Sequence, residues 1–371
     1  MEQFRDPSQW RSFNRGPLTE PDEAETSRGE GGESLVTEIK GDRSGLFGWE
    51  SPEWPEQPGR YYHLTLRCRS DVYAHWEAQF YNEDGTTDDF HTAGIPSTGG
   101  EWRRFEYYFA GKCLKSVARM IIWPSGPGRM EVADLALEPA EDEDAWRWFA
   151  SFMDALPPLP PTEGKRGTLL AGTIGKLRAA ERPLNIATYG DSLAFDVGNL
   201  PLDLALERAY PGAEVHMHTR GKGGTGWAKL RAPDVLSERL LAAEPDLVIT
   251  FALSNLPHEV APGLEAIVDR TRAACDAEFL LVTNHRPDDE DVTRDCPRRF
   301  ERLAEATRAV GERKGAEVAD LRALLAAWLP GNPPPANELA WFMRDSCHLN
   351  EFGRALVLRL FLAHLAPEVG G

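Results

Sequence analysis

Hydrophobic and polar positions alternate with a period of two residues in the N-terminal part of the chain. Over residues 72–81, one face of the predicted strand is apolar, and the other face carries Tyr73, His75 and Tyr81. This alternation is typical of a half-buried antiparallel strand. Strand-like segments also occur at 60–69, 102–109, 117–123 and 129–137. Because no helical period separates them, the sequence predicts an all-β sandwich over residues 1–140.

The pattern changes at about residue 169, where short apolar segments begin to alternate with stretches of helical period. The apolar segments predict strands at 184–189, 213–219, 246–253, 278–283 and 316–321. The remaining stretches predict helices at 227–243, 262–275, 297–314 and 351–365. Such alternation predicts an α/β domain over 169–371, with a mostly parallel sheet and helices on both faces. Residues 141–168 are predicted as a linker that holds a short acidic helix and the stiff proline-rich run 157–161.

The charge balance narrows the classes of partner. The chain has 371 residues with 41 Lys and Arg and 59 Asp and Glu, so its formal net charge is -18. Nucleic-acid proteins and proteins that dock on anionic membranes need a basic face, so neither kind of partner is expected. No apolar stretch reaches the ~18 residues of a membrane span. A secretory signal is not visible, so the cytoplasm is the default expectation, and export is the alternative if a signal was removed.

Neither cysteine nor histidine spacing indicates a metal site. The five cysteines are an odd number without metal-type spacing. His216 and His218 alternate on the second predicted α/β strand, but no carboxylate cluster accompanies them. That pattern is more typical of packed or hydrogen-bonded histidines than of ligands. We therefore expect no metal and no cofactor.

The residues that follow each predicted parallel strand are the first candidates for chemistry, because ligands bind beyond the carboxyl ends of such strands. The first strand leads into Gly190-Asp191-Ser192-Leu193. A serine on a tight strand-to-helix turn exposes its hydroxyl and its backbone N–H. Gly190 allows the turn, and Asp191 can bond the loop backbone to hold it. Taken alone, Ser192 also fits an ordinary helix N-cap.

Other chemically competent groups occur at corresponding positions further along the chain. The glycine-rich loop 220–226 follows the second strand, and Asn255 follows the third. Asp345 and His348 lie three residues apart before the last helix, so the carboxylate can orient the imidazole. With Ser192, these residues supply a nucleophile, a base, an orienting carboxylate and hydrogen-bond donors. Those are the parts that an acyl-transfer site requires.

In these blocks the chain resembles the SGNH (GDSL-type) hydrolases over about residues 184–366. The resemblance implies a flavodoxin-like three-layer α/β/α domain with a mostly parallel five-stranded sheet. It implies a catalytic triad of Ser192, His348 and Asp345. It also implies an oxyanion hole formed by Ser192, Gly224 and Asn255, with Gly223 as the alternative glycine.

One block departs from the pattern of the resembled family. The third block usually reads Gly-x-Asn-Asp, whereas residues 253–256 of this chain read Leu-Ser-Asn-Leu. The loop around Asn255 therefore lacks the usual glycine and aspartate. The sequence leaves open in which direction the Asn255 side chain points.

The N-terminal part resembles the jelly-roll, carbohydrate-binding-like modules of glycan enzymes, in segments such as 101–105 and 132–135. A module of this kind before an SGNH domain is similar to the arrangement in some carbohydrate acetylesterases. The candidate substrate contacts are Asp191, His285, Arg286, Tyr73, His75 and Tyr81. The alternatives are that the aromatic face only covers a sheet or packs on the catalytic domain, and that Arg286 is a surface arginine.

Three functional hypotheses follow from these patterns. The first is a serine esterase that removes acyl groups, foremost O-acetyl groups, from a carbohydrate or glycan. The second is a polysaccharide O-acyltransferase that uses the same site with a sugar hydroxyl as acceptor. The third is a non-enzymatic glycan-binding protein with a degenerate site. The sequence identifies neither the sugar nor the oligomeric state.

Overall fold

A computed structural model of the protein describes residues 2–15, 24–40, 46–55, 61–81, 87–111, 117–160, 166–286, 298–332, 341–345 and 347–367. The contacts divide the chain into two units, Met1–Trp148 and Phe149–Gly371. No helix in the described ranges is both long and apolar enough to cross a membrane.

The N-terminal unit consists of antiparallel strands in two sheets. The first sheet has the order β1-β4-β10-β7-β8, with β5 paired to β10, and the second has the order β2-β3-β11-β6-β9. The strands are β1 Arg11–Arg15, β2 Ala24–Arg28, β3 Ser34–Ile39, β4 Leu46–Glu50, β5 Trp54–Pro55, β6 Tyr61–Ser70, β7 Ala74–Tyr81, β8 Thr87–Ile95, β9 Arg103–Ala110, β10 Val117–Pro124 and β11 Gly128–Ala140. A short helix, α1 (Glu2–Arg5), precedes them.

Both sheets of this unit contribute to one aromatic-rich core. Trp76 of β7 and Met120 of β10 belong to the same buried cluster as Leu64 of β6 and Val132 of β11. Burial of such apolar side chains supplies the main driving force for folding. The all-β character predicted for this part of the chain follows from the alternation that fills this core.

The C-terminal unit contains a five-stranded parallel sheet, which confirms the predicted sheet. Its strand order is β13-β12-β14-β15-β16, and each neighbouring pair is parallel. The strands are β12 Leu184–Gly190, β13 Val215–Thr219, β14 Leu247–Phe251, β15 Glu278–Val282 and β16 Glu317–Ala319. The central strands read as continuous apolar runs because both of their faces are buried.

Helices connect the strands of this sheet and follow them. They are α3 Ala171–Ala179, α4 Ser192–Gly198, α5 Leu202–Ala209, α6 Trp227–Leu230, α7 Pro233–Arg239, α8 Pro257–Ala274, α9 Arg299–Lys314, α10 Leu321–Trp328 and α11 Glu351–Leu365. The single helix predicted over 227–243 was wrong, because the residue before Pro233 takes an extended conformation and Pro233 begins a new helix. The helix predicted to begin at Pro262 begins at Pro257 instead, and Pro262 lies inside it.

The predicted linker is described over residues 141–160 and 166–168, and its residues 161–165 lie outside the described residues. Its acidic start opens helix α2 (Asp142–Ala155), which is longer than the short helix predicted there. The carbonyl groups of Pro157 and Pro158 accept hydrogen bonds from Arg359 and from the Trp328 indole at 2.8 and 3.1 Å. The start of the proline-rich run is therefore bound to the C-terminal unit.

Candidate active site

Ser192 is the first residue of α4, directly after β12, and two neighbours fix its position. Asp191 caps the helix, because its Oδ1 accepts the N–H of Leu193 at 3.0 Å. Gly190 is required at the turn because a Cβ there would lie 1.9 Å from the carbonyl oxygen of Phe251 on β14. The serine therefore sits where the strand closes against its neighbour and the helix starts.

Asp191 also holds the loop that follows β14. Its Oδ2 accepts the N–H groups of Leu253 and Ser254 at 2.7 and 2.6 Å. Burial raises the pKa of Asp191, and the hydrogen bonds from these N–H groups offset only part of that effect. With 1% of its surface exposed, this carboxyl group joins two loops of the site. The prediction that Asp191 contacts substrate is corrected, because both of its oxygens bind backbone N–H groups inside the protein.

Ser192, His348 and Asp345 form one hydrogen-bonded chain. His348 Nε2 lies 2.8 Å from Ser192 Oγ, and His348 Nδ1 lies 2.9 Å from Asp345 Oδ2. Burial alone would raise the pKa of Asp345, but the hydrogen bond and charge of His348 and the charge of Arg344 lower it below its usual range. An ionised carboxylate only accepts, so Nδ1 donates to it and Nε2 is left to accept the serine proton.

Asp345 also shapes the turn that carries His348. Its Oδ1 accepts the backbone N–H groups of Cys347 and His348 at 2.7 and 2.8 Å. The same carboxylate thus fixes both the backbone and the imidazole of the base. Burial raises the pKa of the Cys347 thiol to about 12, so this cysteine between the two residues is a neutral thiol.

Asn255 is fully buried, and its direction is set by one hydrogen bond. Its Oδ1 accepts the backbone N–H of Trp227, the first residue of α6, at 2.7 Å. Its Nδ2 is buried without a hydrogen-bond partner among the described residues. An amide with an occupied oxygen and a free N–H₂ group is suited to donate to an incoming anion. This hydrogen bond fixes the direction of the Asn255 side chain, which the altered third block left open.

A buried arginine that sequence reasoning missed holds the same loop from the other side. Arg299, the first residue of α9, is buried, and its guanidinium donates to the carbonyl groups of Leu253 and Asn255. The Arg299 Nη2 to Asn255 O distance is 3.1 Å. In this chain Asp191 binds the N–H groups of the loop and Arg299 binds its carbonyl groups. Together they hold a loop that lacks the usual glycine and aspartate.

The glycine-rich loop after β13 packs against the nucleophile turn at its start. Lys222 donates its N–H to the carbonyl of Gly190 at 2.9 Å, and a Cβ at Gly221 would lie 2.8 Å from the carbonyl oxygen of Asp191. Gly224 has a φ of 63°, a left-handed conformation that favours glycine. Its role as an oxyanion donor, and that of Gly223 as the alternative, stay predictions.

Two other predicted contacts at the sheet edge do not face solvent freely. His285 has no exposed surface, its ring lies edge-on to Phe251 at 5.8 Å, and burial lowers its pKa to about 3. Arg286 is partly buried, with its guanidinium 5.3 Å above the ring of Phe300. The prediction that His285 contacts substrate is corrected because the residue lies inside the protein.

The predicted aromatic face of the N-terminal unit is also largely covered. His75 stacks on Trp123 at 5.2 Å, and Tyr73 meets His75 edge-on at 5.1 Å. The guanidinium of Arg119 lies 4.9 Å above the ring of Tyr81. His75 and Tyr81 are therefore buried rather than outward, contrary to the alternation-based expectation. The second face of β7 packs against the side chains of β10.

The histidines of β13 have ordinary polar partners. His216 Nε2 lies 2.8 Å from Glu214, and His218 Nε2 lies 3.3 Å from Asn185 Oδ1. Within the part of the chain that the structure describes, no group of three or more His, Cys, Asp or Glu residues is placed to hold a metal ion.

Comparisons with known proteins give structural likenesses only. No protein-family model matches the chain, and no curated protein matches it. Among solved structures, it is similar to the acetyl xylan esterase AlAXEase, with 17% identity and a TM-score of 0.39 over 48% of this chain and 98% of that chain.

Two further likenesses concern other ester hydrolases. A two-domain esterase active on acetylated mannans matches with 19% identity and a TM-score of 0.45 over 56% of each chain. A lipase/acylhydrolase from Enterococcus faecalis matches with 18% identity and a TM-score of 0.40 over 50% of this chain and 96% of that chain. At these identities the likenesses concern the fold alone.

Proposed function

We propose that this protein is a serine ester hydrolase whose triad is Ser192, His348 and Asp345. The observation that carries the proposal is the unbroken chain of hydrogen bonds from Ser192 Oγ through the imidazole to an ionised carboxylate, at 2.8 and 2.9 Å. Asp191 rather than Ser192 caps the helix, so the serine hydroxyl is not needed for capping and bonds the imidazole instead. That contact therefore favours a nucleophile over the simple capping alternative.

In the proposed reaction, His348 Nε2 takes the proton of Ser192 as Oγ attacks the ester carbonyl. The tetrahedral oxyanion accepts hydrogen bonds from Asn255 Nδ2 and from the N–H of Ser192, which has no acceptor within its own helix because it lies at the helix start. Gly224 N–H is the third proposed donor. His348 then gives its proton to the leaving alkoxide, and the acyl group stays on Ser192.

Water completes the cycle. It attacks the acyl-enzyme carbonyl while His348 takes its proton, and collapse of the second tetrahedral intermediate returns that proton to Ser192 Oγ as the carboxylic acid leaves. Asp345 stabilises the imidazolium in both halves of the reaction. No step in this sequence needs a group beyond the residues named.

For the substrate we propose an O-acyl ester, foremost an O-acetyl ester, of a carbohydrate. The support is the resemblance of the N-terminal part to carbohydrate-binding-like modules that precede a hydrolase-like domain. The activity named for the two-domain mannan esterase is in line with this substrate class. For the N-terminal unit we propose a jelly-roll sandwich, on the basis of two antiparallel sheets that share one core.

The test is acetate release from a panel of acetylated glycans, with Ser192→Ala as the matched control. We expect release by the parent and a loss of at least about 10³-fold in kcat for the variant. The acyltransferase alternative would be supported instead if added deacetylated glycan speeds the consumption of nitrophenyl acetate and acetylated glycan appears as a product. Glycan binding without any ester cleavage would support the non-enzymatic alternative and contradict the proposal.

A further inference from the structure

A buried ion cluster lies directly behind the triad. Its centre is Asp196, which lies one helical turn after Ser192 on α4 and is 2% exposed. The Oδ1 of Asp196 accepts Arg344 Nη1 at 2.6 Å and Arg354 Nη2 at 2.8 Å. Both arginines are as deeply buried as the carboxylate. Buried charges are costly unless they are paired, so such a cluster is retained only where it is well compensated.

The cluster forms hydrogen bonds at both ends of the turn that carries His348. Arg344 immediately precedes Asp345, and Leu349 immediately follows His348. Asp196 Oδ2 accepts the N–H of Leu349 at 3.1 Å, and Arg344 Nη1 also donates to the carbonyl of Leu349 at 2.9 Å. The turn is closed by the N–H of Arg344 donating to the carbonyl of His348 at 3.0 Å. One carboxylate on the nucleophile helix thus holds the turn of the base.

The same charges act on the triad electrostatically. Arg344 Nε lies 3.8 Å from Asp345 Oδ2, so it competes with His348 for that carboxylate. Burial would raise the pKa of Asp196, but the positive charges of Arg344, Arg354 and protonated His348 lower it strongly. The interaction is mutual, so the negative charge of Asp196 favours the imidazolium. Asp196, Arg344 and Arg354 are buried, so water screens their charges poorly.

Two other titratable groups near His348, His285 and Cys347, do not change charge near neutral pH. Burial lowers the pKa of His285 to about 3 and raises the pKa of Cys347 to about 12. Burial also raises the pKa of Glu351, whose Oε1 has no hydrogen-bond partner among the described residues and lies 3.8 Å from Arg354. Asp196 and Arg344 are the buried charges that also form hydrogen bonds with the turn of the base, so their effect on His348 is the one to test.

We propose that Asp196 and Arg344 are positioning residues of the triad that act on the protonation of His348 with opposite sign. Asp196 stabilises the imidazolium, Arg344 disfavours it by competing for Asp345, and together they hold the turn of the base against the nucleophile helix. The consequence for catalysis rests on the proposed hydrolase function. The effect on the protonation of His348 does not depend on that function.

The two arginines offer a pair of variants for comparison. Arg344→Met and Arg354→Met each remove one buried guanidinium and one hydrogen bond to Asp196. Only Arg344 also approaches Asp345 and donates to the carbonyl of Leu349. Protonation of His348 is followed by NMR titration of histidine-labelled protein, with the His348 signal assigned by its loss in His348→Gln. The acid limb of kcat/KM on nitrophenyl acetate is the second readout.

We expect the titration midpoint of His348 and the acid limb to move to higher pH in Arg344→Met, on the order of half a pH unit. Arg354→Met should move them less. Asp196→Asn should move them to lower pH. This variant removes the carboxylate that two buried guanidinium groups share, so it can fail to fold. The double variant Asp196→Asn/Arg354→Met removes one charge of each sign and is the second form of the test.

Shifts of the same sign in the Asp196 and Arg344 variants, or no shift in either, would overturn the inference, since purely structural residues loosen the turn without a charge-dependent direction. Equal shifts in Arg344→Met and Arg354→Met would overturn it as well. The NMR readout needs no turnover. Failure of the hydrolase assay with the expected NMR shifts would therefore reject the proposed function and leave the positioning inference standing.

Discussion

Replacing Asn255 by aspartate changes a buried hydrogen-bond donor into an acceptor while the shape of the side chain is kept. In the parent, Oδ1 accepts the N–H of Trp227 at 2.7 Å, and Nδ2 has no partner in the described part of the chain. Aspartate can still accept from Trp227 through one oxygen. Its second oxygen then stands where the amide N–H₂ group was, and it repels an oxyanion instead of stabilising it.

The size of the effect follows from the burial of this side chain. Removal of one oxyanion-hole donor costs about 2.7–4 kcal/mol of transition-state stabilisation, or about 10²–10³ in kcat. Asn255 has no exposed surface, so water cannot replace the lost donor. For Asn255→Asp we expect the upper end of that range or more. Asn255→Ala also removes the acceptor of the Trp227 N–H and should cost an additional ~1–3 kcal/mol of unfolding free energy.

The assay is the hydrolysis of nitrophenyl acetate, with kcat and KM measured separately and folding checked by thermal unfolding. The loss should lie in kcat, because the interaction is made in the transition state. Asn185→Asp is the matched control, since Asn185 lies on β12 at the end remote from Ser192. It should keep kcat within about twofold. A folded Asn255→Asp protein with kcat within about fivefold of the parent would refute the assignment of Asn255 as an oxyanion donor.

Two further predictions concern the scaffold of the site. Gly190→Ala should lower both the unfolding free energy, by about 2–4 kcal/mol, and kcat, since its Cβ would meet the carbonyl of Phe251; parent-like thermal unfolding would contradict this. Burial would raise the pKa of Glu317, but hydrogen bonds from His364, Gly167 and Leu169 lower it below its ordinary value of 4.5. Its stabilising effect, measured by urea unfolding, should therefore be lost as the pH falls from 4.5 through the lowered pKa of the folded state, and Glu317→Gln should flatten that dependence.

The parallel sheet and the residues at its edge were predictable because they depend on local pattern and chain order. Apolar runs separated by helical stretches specify the strands, and the carboxyl ends of parallel strands necessarily share one edge. Ser192 and Asn255 were therefore candidates on their position after a strand alone. Asp345 and His348 were recognisable because their contact is made within a single turn.

The supporting charges were not predictable, because their partners are distant in the chain. Asp196 pairs with an arginine 148 residues further on, and nothing in the local sequence of α4 names that partner. Arg299 belongs to a predicted amphipathic helix, where a basic residue is ordinarily taken as solvated. The second face of β7 was misjudged for a related reason. Alternation does not distinguish a face in water from one that meets other side chains, such as Trp123.

The two oxygens of Asp191 have a consequence for how the site opens. One carboxylate protects the amide protons of Leu193, Leu253 and Ser254, so none of its hydrogen bonds is replaced by water unless the carboxylate itself moves. The nucleophile turn and the loop of Asn255 therefore fluctuate as one cooperative unit rather than as two independent loops. We expect their amide protons to exchange through a single opening event. Substitutions that alter the mobility of one loop should therefore alter the mobility of the other.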